Sequence, residues 1–150
     1  MVAEQTINKS APDARRETRN LPQVEEFFPI HALVVDDEPL IRWAVAESLV
    51  TLGFTVEDAP DAATALKMVT TAALPFDVVV LDFRLPDMRD LSLLGTLRQL
   101  LPRAVLVLMT AYGTQTIESD ARAMGASVLT KPFELGDLNR IVLEKMPGLH

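Results

Sequence analysis

Two stretches, Asp77-Val-Val-Val-Leu81 and Ala104-Val-Leu-Val-Leu-Met109, run through β-branched and apolar residues without alternation. Each is too short for a buried helix, and strict half-burial would alternate polar with apolar. They read as strands covered on both faces, the pattern of a parallel sheet. His31-Ala-Leu-Val-Val35 has the same texture, and shorter strands are expected at Phe54-Thr-Val56 and Ser127-Val-Leu129.

The segments between these runs have helical spacing. Ile41, Ala44, Val45, Ser48, Leu49 and Leu52 make one stripe at i, i+3, i+4, i+7, i+8 and i+11. Ala62, Ala65, Leu66, Val69 and Ala73 make a second behind Asp61, a predicted N-cap. Leu91, Leu94, Leu97 and Leu101 form a third. Ile117, Ala121 and Met124 form a fourth that Gly125 should stop, and Leu138, Ile141 and Val142 form the last. Five strand–helix units, repeating roughly every 20–25 residues, imply right-handed crossovers with helices on both faces of the sheet. The expected fold class is α/β, a doubly wound five-stranded parallel sheet.

The chain has 150 residues, room for one domain of real core. It is 49% hydrophobic and 23% charged, which excludes a wholly disordered polypeptide. Its 14 basic and 21 acidic residues give a net charge of −7, against a surface that grips nucleic acid or anionic lipid. There is no cysteine, so disulfides, thiolate metal sites and cysteine nucleophiles are excluded. No apolar run approaches the roughly 18 residues that span a bilayer, and a cytoplasmic address is expected. Residues 1–28 are polar and mixed in charge, and read as a disordered N-terminal extension; the folded domain is expected over 29–150.

Open parallel sheets bind ligands outside the carboxyl ends of their strands. At that edge the sequence places Asp36-Asp37-Glu38-Pro39 after the first strand and Asp82 after the third. Thr110 follows the fourth, and Lys131-Pro132-Phe133 the fifth. Singly, each has a bland reading: Asp37 a helix cap, Asp82 a turn former, Thr110 a strand-end hydroxyl, Lys131 a solvated cation. Together they do not, because carboxylates folded side by side repel unless a cation or shared protons relieve them. Mg²⁺ prefers such oxygen donors, and Lys131 then serves as a point charge for an anion beside the metal.

Four motifs, Leu33-Val-Val-Asp-Asp-Glu-Pro39, Val80-Leu-Asp-Phe-Arg-Leu-Pro-Asp87, Met109-Thr-Ala111 and Lys131-Pro-Phe133, resemble the receiver domain of two-component response regulators. The resemblance covers about Pro29 to Met146. It implies strand order 2-1-3-4-5 and a phosphoryl group accepted on Asp82 from a sensor histidine kinase or phosphotransfer protein. It implies Mg²⁺ held by Asp36, Asp37, Asp82 and the backbone carbonyl of Arg84, with Thr110 and Lys131 on the phosphoryl oxygens. It also implies a cis Lys131–Pro132 bond. Such a domain assists its own phosphorylation but turns over no free substrate. Arg84 and Tyr112 occupy the positions that flank the hydrolytic water and are expected to modulate the lifetime of the acyl phosphate. The resemblance allows a homodimer through the helix 4–strand 5–helix 5 face. It also places the kinase near helix 1, which makes Trp43 a candidate contact beside its bland reading as a scattered surface residue. The Ile41-Arg-Trp43 string resembles receivers attached to enhancer-dependent transcriptional activators.

Two positions depart from the family pattern: Val128 stands where an aromatic ring usually serves the switch, and Asp90 where many members have glycine. Alternatives fit less well. A nucleotide-binding turn would need glycines that Asp36–Pro39 lacks. A haloacid-dehalogenase-like phosphatase would need a second aspartate where Arg84 stands. A degenerate receiver, acting as a phosphorylation-independent docking module, is the alternative kept, and the presence of all five site residues counts against it.

Overall fold

The computed structural model describes residues 29–111 and 113–147; the reading of residues 1–28 as an extension lies outside them. The chain alternates β1 (His31–Val35), α1 (Pro39–Val50), β2 (Thr55–Ala59), α2 (Ala62–Thr71) and β3 (Val78–Asp82), then α3 (Ser92–Leu100), β4 (Val105–Thr110), α4 (Gln115–Ala123), β5 (Ser127–Thr130) and α5 (Leu135–Lys145). All four strand pairings are parallel, in the order β2-β1-β3-β4-β5. The expected doubly wound sheet is the observed one.

The unbroken apolar runs have a simple cause. Successive strand residues point to opposite faces, and each face meets its own core. Leu33, Val35, Val79, Leu81, Leu106 and Leu108 pack with Ala65 of α2, Leu94 and Leu97 of α3 and Ala121 of α4. Ala32, Val34, Val78, Val80, Val107 and Met109 pack on the other side with Val45 and Leu49 of α1 and Leu138 and Val142 of α5. No residue of β3 or β4 faces water, so none needs to be polar for solvation. That leaves Asp82 and Thr110, the last residue of each, as polar groups placed for another reason.

Three local expectations change. The second strand is Thr55–Ala59 rather than Phe54–Val56. As an edge strand it carries the solvent-facing pair Glu57-Asp58, which breaks its apolar signal, while Phe54 is buried just ahead of it. Leu91, read as the first member of the third stripe, packs half-buried against the core as expected but from the N-cap of α3 rather than from within it. Ala73 falls beyond the end of α2 and is exposed.

The caps read from sequence are in place. Asp61 accepts a hydrogen bond from the Thr64 N–H at 2.7 Å, and Pro39 opens α1. Gly125 ends α4 at φ +82°, a conformation a Cβ would strain. No helix among the described residues is long and apolar enough to cross a membrane.

One side chain holds together the end opposite the carboxyl edge. Arg98 donates Nε to the Met124 carbonyl at 2.9 Å, Nη2 to Gly125 at 3.3 Å, and Nη1 to Leu101, Pro102 and Ala104 at 3.3, 3.0 and 3.1 Å. It thereby neutralises carbonyls left over at the ends of both α3 and α4, where the helix dipoles favour a cation. Arg98→Ala is expected to cost about 2–4 kcal/mol in urea unfolding, since charge-assisted bonds to several carbonyls are lost together. Arg98→Lys should recover only part of it, because an ammonium keeps the charge without the planar fork.

Candidate functional site

Four strand ends converge on one cleft. Chain leaving β1 turns at Asp36, which is fully buried: its N–H donates to the Ala59 carbonyl at 3.1 Å, and its Oδ1 accepts from the Glu38 N–H at 2.9 Å. Pro39 follows at the start of α1, leaving Asp37 and Glu38 exposed at the mouth. Asp37 is therefore no helix cap; Glu38 holds the N-cap position and makes no side-chain cap bond. Asp82 closes β3 at 6% exposure, and Thr110 closes β4 at 1%. Lys131 follows β5, and its N–H donates to the Thr110 carbonyl at 2.8 Å. The Lys131–Pro132 bond is cis.

Lys131 Nζ lies 3.4 Å from Asp36 Oδ2, 3.4 Å from Asp82 Oδ1 and 3.9 Å from Glu38 Oε1. Carboxylate oxygens of Asp36, Asp37, Glu38 and Asp82 come within 4.8 Å of one another. One ammonium against four carboxylates leaves the cluster short of positive charge. The consequence falls on Asp82. Burial, followed by the neighbouring Asp36 charge, raises its carboxyl from 3.8 to about 6, although Lys131 and the Arg84 backbone N–H pull the other way. Burial alone would lower the Lys131 ammonium, but Asp36, Asp82 and Glu38 outweigh it and hold the group above its ordinary value. All the donors are oxygens and the set lacks cation charge, so the residues fit a hard divalent ion such as Mg²⁺.

The cleft has a volume of about 390 Å³, with Asp82 and Lys131 inside and Arg84 and Arg89 on its rim. Arg84 is exposed there; Tyr112 lies outside the described residues. The Gly113 backbone packs so closely on Thr110 that a Cβ would lie 2.9 Å from the Thr110 Cγ2. Trp43 is 61% exposed and Val50 47%, on the face of α1 away from the core. Val128 pairs with Leu108 and is half-buried against the α2–α3–α4 side, with no ring to move. Asp90 has a use that the sequence did not reveal: its Oδ1 accepts from the Ser92 N–H at 2.9 Å, at the start of α3.

Sequence reasoning missed three contributors. Glu38 joins the acidic cluster, and the unbroken run Asp36-Asp37-Glu38 was the available signal. Arg42 donates from α1 to the Asp36 carbonyl at 2.8 Å and lies 3.5 Å from Asp58, bracing the turn. Asp87 bonds the N-terminus of α2. Both act on backbone atoms, six residues away for Arg42 and 24 or 25 for Asp87, and a backbone partner has no residue type to announce it.

Comparison with known proteins agrees with this geometry. The family model described as the response regulator receiver domain matches residues 32–143. The response regulator protein PilR of Pseudomonas aeruginosa is 36% identical over 112 residues, covering 74% of this chain and 25% of its own length. The chain spans from about a quarter to about half the length of the curated relatives it matches. A CheY-like receiver domain protein from Methanospirillum hungatei JF-1 superimposes with a TM-score of 0.73 at 27% identity, over 79% of this chain and 94% of that one. A response regulator from Burkholderia pseudomallei, whose structure has a phosphorylated aspartic acid, a calcium ion and citrate, aligns with a TM-score of 0.68 at 27% identity. That match covers 75% of this chain and 65% of the other. With strand order, strand-end chemistry and family match in agreement, this chain belongs to the response regulator receiver domains of two-component signalling.

Proposed function

We propose that Asp82 accepts a phosphoryl group from a phosphohistidine on a sensor kinase or phosphotransfer protein, in a reaction that depends on Mg²⁺. The observation that carries this reading is the Asp82 carboxylate, at the strand end inside the cleft, 3.4 Å from Lys131 Nζ and within the four-carboxylate cluster. An Asp82 oxygen forms the new bond to phosphorus as the histidine N–P bond breaks, and the released nitrogen takes up a proton. A carboxyl raised to about 6 is still mostly ionised at neutral pH, while being more basic than an ordinary aspartate. Mg²⁺, held by oxygens of Asp36, Asp37 and Asp82 with the Arg84 carbonyl, would offset charge on the transferred group.

The protein's own groups do the rest. Lys131, already drawn to Asp82, supplies a fixed cation for a phosphoryl oxygen at no cost of reorganisation. Thr110, buried at the neighbouring strand end, offers the hydroxyl that bonds the same group. Arg84 and Tyr112 modulate access of water to the acyl phosphate. Trp43 is a contact for the kinase. The domain works in the cytoplasm, binds no nucleic acid itself, and turns over no free substrate as an enzyme does. Phosphorylation favours pairing of two copies through the α4–β5–α5 face, with Val128 in place of the usual ring.

The decisive experiment is incubation with acetyl phosphate and Mg²⁺ followed by intact-mass analysis. Wild type should gain one phosphoryl group and Asp82→Asn none, since the amide is not a usable nucleophile; uptake by the variant at the wild-type rate refutes the assignment. Asp37→Ala should weaken Mg²⁺ by at least the roughly tenfold lost when a residue that merely orients a ligand is removed. Calorimetric titration reads that change directly.

The crowded cluster also makes a stability prediction. The folded chain holds the Asp82 proton more tightly than the unfolded one, so metal-free wild type is stabilised below about pH 4 and loses that stability as pH rises through about 6. Asp82→Asn escapes this loss. Without metal it should be more stable than wild type near neutral pH by up to about 3 kcal/mol, the worth of a shift of about two units. The gap should close towards about pH 4 in urea unfolding with chelator present.

A further inference from the structure

The β2–α2 corner contributes no group to the acidic cleft, yet both loops of the cleft are tied to it. On one side the Asp36 N–H bonds the Ala59 carbonyl, and Arg42 spans from the Asp36 carbonyl to Asp58. On the other side stands Asp87, in the loop between β3 and α3. Its two carboxylate oxygens accept one hydrogen bond each from the N–H groups of Ala62 and Ala63, both at 2.9 Å. These are the first two residues of α2, whose N–H groups have no partner within the helix. Asp61 serves a different donor of the same turn, the Thr64 N–H. Two carboxylates thus satisfy one helix end, one local and one reaching over from the loop that follows the phosphoacceptor.

That loop needs an anchor. Arg84, Pro86, Asp87, Arg89 and Asp90 are all exposed. Leu85 is buried and exchanges backbone bonds with Met88 at 2.9 and 3.3 Å, so residues 85–88 form one tight turn. Asp87 sits inside this turn, and whatever holds Asp87 holds the peptide groups just before it. Among them is Arg84, whose N–H donates to the Asp82 carboxylate. Ala62 is 1% exposed, so water is a poor substitute at its N–H. The two backbone bonds hold the Asp87 carboxyl below its ordinary value, so the anchor is charged at neutral pH.

We propose that Asp87 is a positioning residue, which by bonding the first turn of α2 fixes the Arg84 peptide group against Asp82. The proposal deepens the function proposed above and rests on it for the role of the Arg84 carbonyl, but its geometry is a property of the metal-free fold. It makes the position of α2 an input to the site: displacing that helix displaces the loop.

The test compares Asp87→Ala and Asp87→Asn with Asp61→Ala, which removes a cap from the same helix end without touching the loop. Amide hydrogen exchange of residues 84–90, read without metal, should speed up several-fold in Asp87→Ala and stay at the wild-type rate in Asp61→Ala. The Mg²⁺ dissociation constant should rise several-fold in the first variant only. Asp87→Asn retains one oxygen acceptor and should fall between wild type and Asp87→Ala in both measurements. If Asp87→Ala and Asp61→Ala match in loop exchange and in Mg²⁺ affinity, Asp87 is a helix cap and nothing more, and the proposal is overturned. Failure of wild type to take a phosphoryl group from acetyl phosphate would instead overturn the proposed function, with the exchange comparison still deciding the role of Asp87.

Discussion

Charge crowding at the carboxyl edge of the sheet is the constraint to which the rest of this molecule answers. Four carboxylates approach within 4.8 Å and a single ammonium faces them. Separating them would relieve the repulsion, and the fold prevents it. Asp36 directly follows β1 and Asp82 ends β3, adjacent strands whose register is locked by cores on both faces. Lys131 is delivered by β5, two strands from β3, and its own N–H is tied to the Thr110 carbonyl. The hydrophobic cores thus keep in place an electrostatic arrangement that would not assemble by itself. The unrelieved part appears in Asp82, whose carboxyl is raised to about 6 and which gains most from a cation or from transfer of its charge to a bound group.

Most of this was legible in the sequence, for physical reasons that differ by element. β1, β3 and β4 announce themselves because burial on both faces removes any need for polar residues. β2 does not, because an edge strand half in water tolerates Glu57 and Asp58, and its run looks broken after Val56. Asp61 and Gly125 could be read as helix ends because capping is a matter of three or four consecutive residues. Asp36, Asp37, Asp82, Thr110 and Lys131 could be read as a site because each stands immediately after a legible strand, and the topology rule then gathers them.

What escaped the sequence is the set of polar groups whose partners are backbone atoms. Arg42 bonds the Asp36 carbonyl, Asp87 the N–H groups of Ala62 and Ala63, and Arg98 the carbonyls of two helix ends. A backbone acceptor has no residue type, so such bonds leave no signature in composition or spacing. The same holds for Asp90, which the sequence marked only as a missing glycine and which serves the start of α3.

Arg98 also makes the fastening of α4 uneven. The guanidinium ties the carbonyls of Met124 and Gly125, at the far end of that helix, to the turn that leads into β4. The near end has a lighter fastening: Thr114 caps it with a 3.2 Å bond to the Ile117 N–H, next to the Gly113 backbone that leans on Thr110. The two ends of α4 are therefore unequally secured: the Gly125 end shares one guanidinium with the end of α3, while the Gln115 end, beside the cleft, rests on its own cap and on the Gly113 contact with Thr110.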